Sequence, residues 1–195
     1  MNRVPGAAEA SLRSEARVTT RRRACAAVAL LSISLWLGGL VALGAIAAPI
    51  VFNVVSHPAS ADAMTLVFQK FDLVTMACAA VVLATEAALA SARGAFNRLD
   101  RWRAALSALA AALAVYEATR VSPAIAALHA GGAIRGVGSA GADLARLHDV
   151  AEACGKAEIA LLVAVLVMHV FALSGRCDAP VPTRAVVEEP GRGAL

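Results

Sequence analysis

The sequence predicts an all-α fold, an integral membrane bundle of four transmembrane helices. Two properties of the composition indicate this class. Hydrophobic residues make up 59% of the 195 residues and charged residues only 16%, whereas ordinary soluble domains have about 45–50% and about 25%. The third observation is a series of apolar runs that together form a transmembrane domain over residues 24–175. A soluble enzyme, a disordered protein and a disulfide scaffold are disfavoured, because this chain lacks the polar residues to cover a water-exposed surface.

The first span is predicted over residues 24–55. Residues 24–47 carry no charge, and about 20 apolar residues suffice to cross a hydrocarbon core of about 30 Å. We expect the helix to kink at Pro49 and to continue to about Val55, because neighbouring spans can satisfy the backbone groups that a proline frees. Residues 1–23, rich in arginine, are expected to form a flexible cytoplasmic tail, with a helix near Ser11–Arg17 as the alternative. A cleaved signal peptide is the alternative, but the apolar run is longer than the roughly 7–15 residues of such a segment.

The remaining three spans are predicted over residues 72–92, 104–122 and 155–174. Residues 56–71 mix apolar and polar side chains, which predicts a short amphipathic helix at the membrane interface before the second span. Pro123 is expected to kink or stop the third span, because proline disfavours a helical conformation in the residue before it.

Two further segments lie outside these spans. The glycine-containing connection over residues 124–154 is expected to carry one or two short helices. Residues 176–195 are rich in proline and glycine and are expected to be a disordered cytoplasmic tail.

The basic residues are distributed unequally around the spans. Thirteen of the 18 Lys and Arg residues fall on the side that holds both termini and the 93–103 loop, and five fall on the other side. The positive-inside rule makes the first side cytoplasmic, so we predict an N-in, C-in protein of a bacterial cytoplasmic (inner) membrane. The lipid bilayer is its expected partner, and a homo-oligomer or another membrane partner stays open. Nucleic acid is not an expected partner, because aromatic residues make up only 4% of the chain and offer few platforms for base stacking.

Glu117 and Arg120 are the first candidate functional pair. They are three residues apart near the end of the third span, so they share a helix face. A carboxylate inside a membrane is costly unless it is paired and is a candidate functional group by default. Two interpretations stay open: an internal ion pair, or a substrate or ion site at the kinked end of this span.

Glu86 and His169 are the second candidate pair. Each precedes the cytoplasmic end of its span by a similar number of residues, so the rise of 1.5 Å per residue places them at a similar depth. Such a pair could carry protons. The alternative is a structural hydrogen-bonded cluster, or a pairing of Glu86 with a cytoplasmic arginine.

His148 is a candidate polar residue on the outer side, where His57 and His129 are also expected. No two of these histidines have the close spacing of a metal-binding motif. His148 and His169 lie on one continuous helix if it begins early, about 30 Å apart, so they cannot bind a single haem iron. We therefore predict no metal site and no cofactor.

Short motifs of small, aromatic and proline residues mark the chain from the first span to the last. They are Leu35-Trp36-Leu37-Gly38-Gly39, Ala48-Pro49-Ile50-Val51-Phe52, Phe68 with Phe71, Arg120-Val121-Ser122-Pro123, and Leu147-His148. Together they resemble the transmembrane-protein-205-like family, a group of DUF4149-like four-span membrane proteins with a domain of unknown function. The resemblance covers roughly residues 28–175. It implies a four-span fold and implies no catalytic residue.

The function expected from these observations is that of an integral membrane protein that is not an enzyme, because no nucleotide-binding, nucleophile or zinc-protease motif is present. The expected working surface is the outer end of the bundle, near Pro49, Phe52, Glu117, Arg120, Pro123 and His148. The alternative is a small transporter or a metal-handling (copper-like) resistance protein that uses the same residues. The element Trp36-Leu37-Gly38-Gly39 favours the metal-linked alternative, because it also resembles copper-resistance membrane proteins.

Overall fold

A computed structural model describes residues 6–91 and 97–174 of the chain. All regular structure in these two ranges is helical. Six α-helices follow one another, with a π-helical segment after the first and another after the fourth: α1 (Ala7–Val41), the π segment Ala42–Ala47, α2 (Ala48–Val54), α3 (Ala59–Ser91), α4 (Arg98–Tyr116), the π segment Glu117–Val121, α5 (Ser122–Ala130) and α6 (Gly138–Ser174). The predicted disordered tail over residues 176–195 lies outside the described residues.

The long helices form a four-helix bundle. α1 packs against α3 and α6, and α4 packs against the same two helices. We call one end of the bundle the arginine end. It holds the part of α1 around Arg22, the start of α4 and the ends of α3 and α6. The opposite end holds α2 with Pro49 and α5 with Pro123, and we call it the proline end. α3 and α6 therefore both run from the proline end to the arginine end.

Four helical stretches in the described part of the chain are long and apolar enough to cross a membrane. They are Ala16–Val54, Ala59–Ser91, Arg98–Ala130 and Gly138–Ala172. Large apolar side chains also point away from the bundle, where lipid solvates them at no cost, and Leu31 and Phe171 are examples. The predicted all-α class with four membrane-spanning helices is confirmed.

The first helix differs from its prediction at both ends. Residues 7–23, expected as a flexible tail, are helical and continue into the span as α1. At the other end the helix passes Pro49 through the π segment Ala42–Ala47. Proline lacks an N–H, and its ring clashes with the carbonyl four residues earlier, here that of Ala45. A wider π turn at that point lets the helical path continue to Val54.

The predicted interfacial helix before the second span is wrong. Residues 59–71 are the first turns of α3, which runs unbroken from Ala59 to Ser91. The reason is local, because this stretch contains neither glycine nor proline, and so no residue ends the helix where the apolar run begins. Polar residues in the sequence indicate where a span leaves the membrane, whereas glycine and proline indicate where the helix itself ends.

The connection over residues 124–154 also differs from its prediction of one or two short helices. α5 prolongs the third span to Ala130, and α6 begins as early as Gly138. Only residues 131–137 lie between them. Gly132 and Gly136 in this connection, and Gly138 at the start of α6, have positive φ angles, which favour glycine.

The core lies between the four long helices and consists of side chains of mixed size. Its buried members are Ile33, Trp36, Cys78, Ala79, Val82, Ala110, Ala111, Ala114, Leu162 and Val165. α1 approaches α3 closely at Gly39, where a Cβ atom would collide with the ring of Phe71. This contact explains why a small residue stands at that position.

Candidate functional site

A buried cluster of charged side chains lies at the arginine end, and we call Glu86, Asp100, Arg103 and His169 the paired cluster. Arg103 Nε and Nη2 donate hydrogen bonds of 2.7 and 2.8 Å to Glu86 Oε1 and Oε2. Arg103 Nη1 also lies 3.3 Å from Asp100 Oδ1. His169 Nε2 lies 3.0 Å from Glu86 Oε1, without the angle of a hydrogen bond. All four residues are buried, so the cluster joins α3, α4 and α6 inside the bundle.

The charges of the paired cluster compensate one another. A two-point contact between arginine and a carboxylate is among the strongest hydrogen-bonded arrangements in proteins. It offsets part of the cost of removing both ions from water. Glu86 is therefore a satisfied carboxylate. Glu86 pairs with an arginine and also faces His169, whereas the proton-carrying role of the Glu86–His169 pair stays a prediction.

A second group of acidic residues lies towards the proline end, and we call Asp72, Glu117 and Glu158 the acidic cluster. Trp36 Nε1 on α1 donates a 3.0 Å hydrogen bond to Glu158 Oε2 on α6. Glu158 is only 1% exposed, and its second oxygen, Oε1, is buried without a hydrogen-bond partner. This unpartnered oxygen is unusual, because buried polar atoms in native proteins nearly always have a partner.

The three carboxyl groups of the acidic cluster interact electrostatically with one another. Glu117, which is half-buried, interacts with Asp72 and Glu158, and Asp72 also interacts with Glu158. Three helical elements thus direct acidic side chains towards one region of the bundle.

The π segment Glu117–Val121 positions Glu117. It has the same cause as the segment before Pro49, because Pro123 excludes a regular turn with the carbonyl of Thr119. π turns change which residues face the interior and occur often at functional sites. Here Glu117 is half-buried while Arg120 is exposed. No ion pair joins Glu117 to Arg120, although the structure describes both residues, so the internal ion pair considered from the sequence does not form.

The other predicted site residues lie at the proline end without joining the acidic cluster. His148 is half-buried, and its ring meets that of His129 edge-on at a centroid distance of 5.9 Å. The exposed Phe52 stacks on His57, with centroids 6.1 Å apart. Pro49 and Pro123 are exposed. Within residues 6–91 and 97–174, no group of three or more His, Cys, Asp or Glu side chains could hold a metal ion.

The motif Leu35-Trp36-Leu37-Gly38-Gly39 has two structural roles. Trp36 is fully buried and bonds to Glu158, and Gly39 admits the ring of Phe71. Gly38 faces open space, where a Cβ atom would meet nothing within 4 Å. The motif therefore supports the acidic cluster from α1.

No sequence pattern considered above singles out Arg103, Asp100, Asp72 or Glu158 as a site residue. Arg103 looked like a cytoplasmic topology signal, because it closes a run of arginines before an apolar stretch. A signal for Glu158 was present, since it precedes His169 by eleven residues, which is three helical turns and therefore the same face. The indole N–H of a tryptophan inside a bundle also needs an acceptor.

Comparison with known proteins gives one match. The family described as Domain of unknown function (DUF4149) matches residues 31–133, just over half of the chain. The matched region holds Glu86, Arg103 and Glu117, whereas Leu147, His148 and the whole of α6 lie beyond it. No curated protein and no solved structure matches the chain, and the finer likeness to transmembrane protein 205 stays a prediction. Since the family match covers more than half of the chain and the fold has four helices suited to a membrane, the chain belongs to the DUF4149 family.

Proposed function

We propose that this chain is a small transport protein for a monovalent cation, the proton included, and that the acidic cluster is its ion-binding site. One observation carries the proposal. Glu158 is almost completely buried, yet one of its oxygens has no partner, and the carboxyl groups of Asp72 and Glu117 interact with it electrostatically. Ionisable residues within transmembrane segments commonly mark ion pathways and proton relays.

The comparison with the paired cluster supports this proposal. Glu86 has Arg103 as a partner at 2.7 and 2.8 Å. Glu158 has only an indole N–H, which is neutral. Negative charge on several carboxylates in a bundle is costly unless a cation compensates it. A bound cation, or protons on the carboxyl groups, would supply that compensation.

The kind of ion follows from the arrangement of the carboxyl groups. In the part of the chain that the structure describes, no set of three acidic, histidine or cysteine side chains is close enough to coordinate a metal ion. This spacing favours a proton or a partly hydrated monovalent cation, which needs fewer direct ligands than a divalent metal.

The role as a transport protein also implies a location and a class. We propose that the chain is a multi-pass protein of the cytoplasmic (inner) membrane, with the arginine end inside, as the positive-inside rule favours. We also propose that it is not an enzyme. In support, Glu86, Arg103, His169 and Glu158 are between 1% and 6% exposed, which keeps these groups from contact with a substrate in solution.

Currents on a solid-supported membrane test the proposal. The purified full-length chain is reconstituted into liposomes and exposed to concentration jumps of H⁺, Na⁺, K⁺ or tetramethylammonium. We expect a current with at least one of these ions, and its loss in Glu117→Gln and in Glu158→Gln. Glu152→Gln is the matched control, because Glu152 is an exposed carboxylate of the same helix, paired with Lys156 at 2.5 Å on the surface.

Two results would overturn the proposal. One is the lack of any current with all four ions from protein that is monodisperse in detergent before reconstitution. The other is a current that Glu117→Gln and Glu158→Gln change no more than Glu152→Gln does.

A further inference from the structure

Unpartnered polar atoms recur in the interior of the bundle. The structure describes six buried side-chain nitrogen or oxygen atoms without a hydrogen-bond partner, and five of them belong to residues of α3, α4 and α6. Ser60 Oγ lies in the first turn of α3. The other four are Thr75 Oγ1, Ser107 Oγ, Glu158 Oε1 and His169 Nε2, and the last of these lies 3.0 Å from Glu86 Oε1. The residues that carry them are at most 5% exposed. A buried hydroxyl or carboxyl oxygen without a protein partner is a typical binding position for an internal water molecule.

These atoms lie at successive depths between the two clusters. Glu86 and His169 are in contact at 3.0 Å, and α3 and α6 run in the same direction. Thr75 precedes Glu86 by eleven residues, and Glu158 precedes His169 by eleven. At 1.5 Å per residue, Thr75 and Glu158 therefore share one level, about 16 Å from the paired cluster.

Ser107 lies within this interval. It follows Arg103 by four residues on α4, which places it about 6 Å from the paired cluster on the way to Glu158. The polar atoms thus follow the bundle axis from Glu158 and Thr75, past Ser107, to His169 beside Glu86.

An apolar layer separates Ser107 from the level of Thr75. Large side chains, among them Ile33 and Leu162, fill most of this layer. The remaining part is lined by the short side chains of Ala79, Ala110 and Ala111. Hydrophobic constrictions of this kind gate ion pathways by losing and regaining water.

From this arrangement we infer that the ion of the acidic cluster is the proton, and that its route runs from Glu158 past Thr75 and Ser107 to the Glu86–His169 pair. The inference rests on the proposed function and deepens it. Glu158 takes up one proton from the proline end and gives one to a water molecule bound at Thr75. When water fills the apolar layer, a chain of water molecules passes a proton past Ser107 to His169 Nε2. His169 then releases a proton at the arginine end. Each carrier gains and loses one proton, so no other reactant is needed.

A proton-flux assay tests this route. Liposomes that contain the full-length protein and the pH dye pyranine receive a potassium gradient and valinomycin, so that the membrane potential drives proton uptake. We expect the flux to fall roughly fivefold in Thr75→Val and in Ser107→Ala, because each loses a hydrogen-bonding group worth about 1 kcal/mol.

Matched controls separate the route from general effects of the substitutions. Thr65→Val removes a hydroxyl of α3 that already donates to the carbonyl of Ala61. Ser34→Ala removes an exposed hydroxyl of α1. Both are expected to keep the wild-type flux, and thermal unfolding in detergent verifies that all four variants fold.

The outcomes distinguish this inference from the proposed function. A current with Na⁺ or K⁺ but no proton flux overturns the inference and leaves the proposed function standing. Proton flux that Glu158→Gln removes, but that Thr75→Val and Ser107→Ala leave intact in folded protein, overturns the route alone. The lack of a current with any ion overturns both.

Discussion

Arg103 holds Glu86 through two parallel hydrogen bonds of 2.7 and 2.8 Å inside the bundle, and these bonds link α4 to α3. Asp100, which is also on α4, and His169 on α6 complete the group. The structure therefore holds one end of the bundle together by compensated charges, and leaves carboxyl groups without such compensation towards the other end.

The first prediction concerns this contact. Arg103→Met leaves Glu86 buried without its counter-ion, and the loss of one partner of a buried ion pair costs about 3–5 kcal/mol. We expect a clear fall in the thermal unfolding temperature of the detergent-solubilised protein. Arg101→Ala is the control, since Arg101 is exposed on the same helix and its loss should change little. The double variant Glu86→Leu with Arg103→Met should regain most of the lost stability, and a double variant as unstable as Arg103→Met would contradict this account.

The second prediction concerns the bond between Trp36 and Glu158. Trp36→Phe keeps an aromatic ring but removes the N–H, so both oxygens of Glu158 are left without a donor. We expect a loss of about 1–3 kcal/mol, the cost of an unsatisfied buried polar group, again measured by thermal unfolding. Trp102→Phe is the matched control, because Trp102 is 63% exposed. Equal effects of the two substitutions would show that the hydrogen bond contributes nothing.

The third prediction compares two adjacent glycines. Gly39→Ala places a methyl group against the ring of Phe71, whereas Gly38→Ala meets nothing within 4 Å. We expect Gly39→Ala to destabilise the protein by about 1–3 kcal/mol through overpacking. Gly38→Ala should be neutral or stabilising by up to about 1 kcal/mol, because alanine favours a helix over glycine. Combining Gly39→Ala with Phe71→Ala tests the cause, since the added methyl group should then cost less than it does beside the intact ring.

The fourth prediction concerns the orientation in the membrane. In a variant that keeps Cys177 as its single cysteine, a membrane-impermeant thiol reagent should label it only after cells are opened, because the basic flanks are expected inside. A Ser56→Cys substitution on a cysteine-free background should be labelled from outside intact cells, since Ser56 is exposed between α2 and α3 at the proline end. The reverse pattern of labelling would invert the orientation.

The sequence was sufficient for the four spans and insufficient for the ends of the helices. Uncharged runs such as residues 24–47 are readily recognised, because the bilayer demands them. The extensions of α3 to Ala59 and of α6 to Gly138 were missed. Polar residues end an apolar run without ending the helix, which continues until a glycine or proline interrupts it.

The depth of the candidate site residues along their helices could be predicted from the sequence, but their contacts could be predicted only in part. Counting residues placed Glu86 and His169 at one level, and the structure brings them within 3.0 Å. Counting could not show that Arg103 turns inwards, because helix rotation is set by packing between helices. Glu158 was overlooked because it follows Glu152 and Lys156 closely, and it therefore resembled the polar rim of the span instead of its interior.

The position of Glu158 along α6 has a consequence for the membrane voltage. Glu152 and Lys156 are exposed and paired just before it, and the helix is apolar from Ile159 to Met168. On α1, however, Trp36 bonds to Glu158 and so lies at its level, and the helical path continues from there to Val54 without a charged residue. The carboxyl group of Glu158 therefore lies well inside the low-dielectric layer. Under the proposed function, an ion that reaches Glu158 and an ion that leaves it for the arginine end would each cross part of the membrane voltage, which is worth about 2.3 kcal/mol per elementary charge and 100 mV over the full membrane.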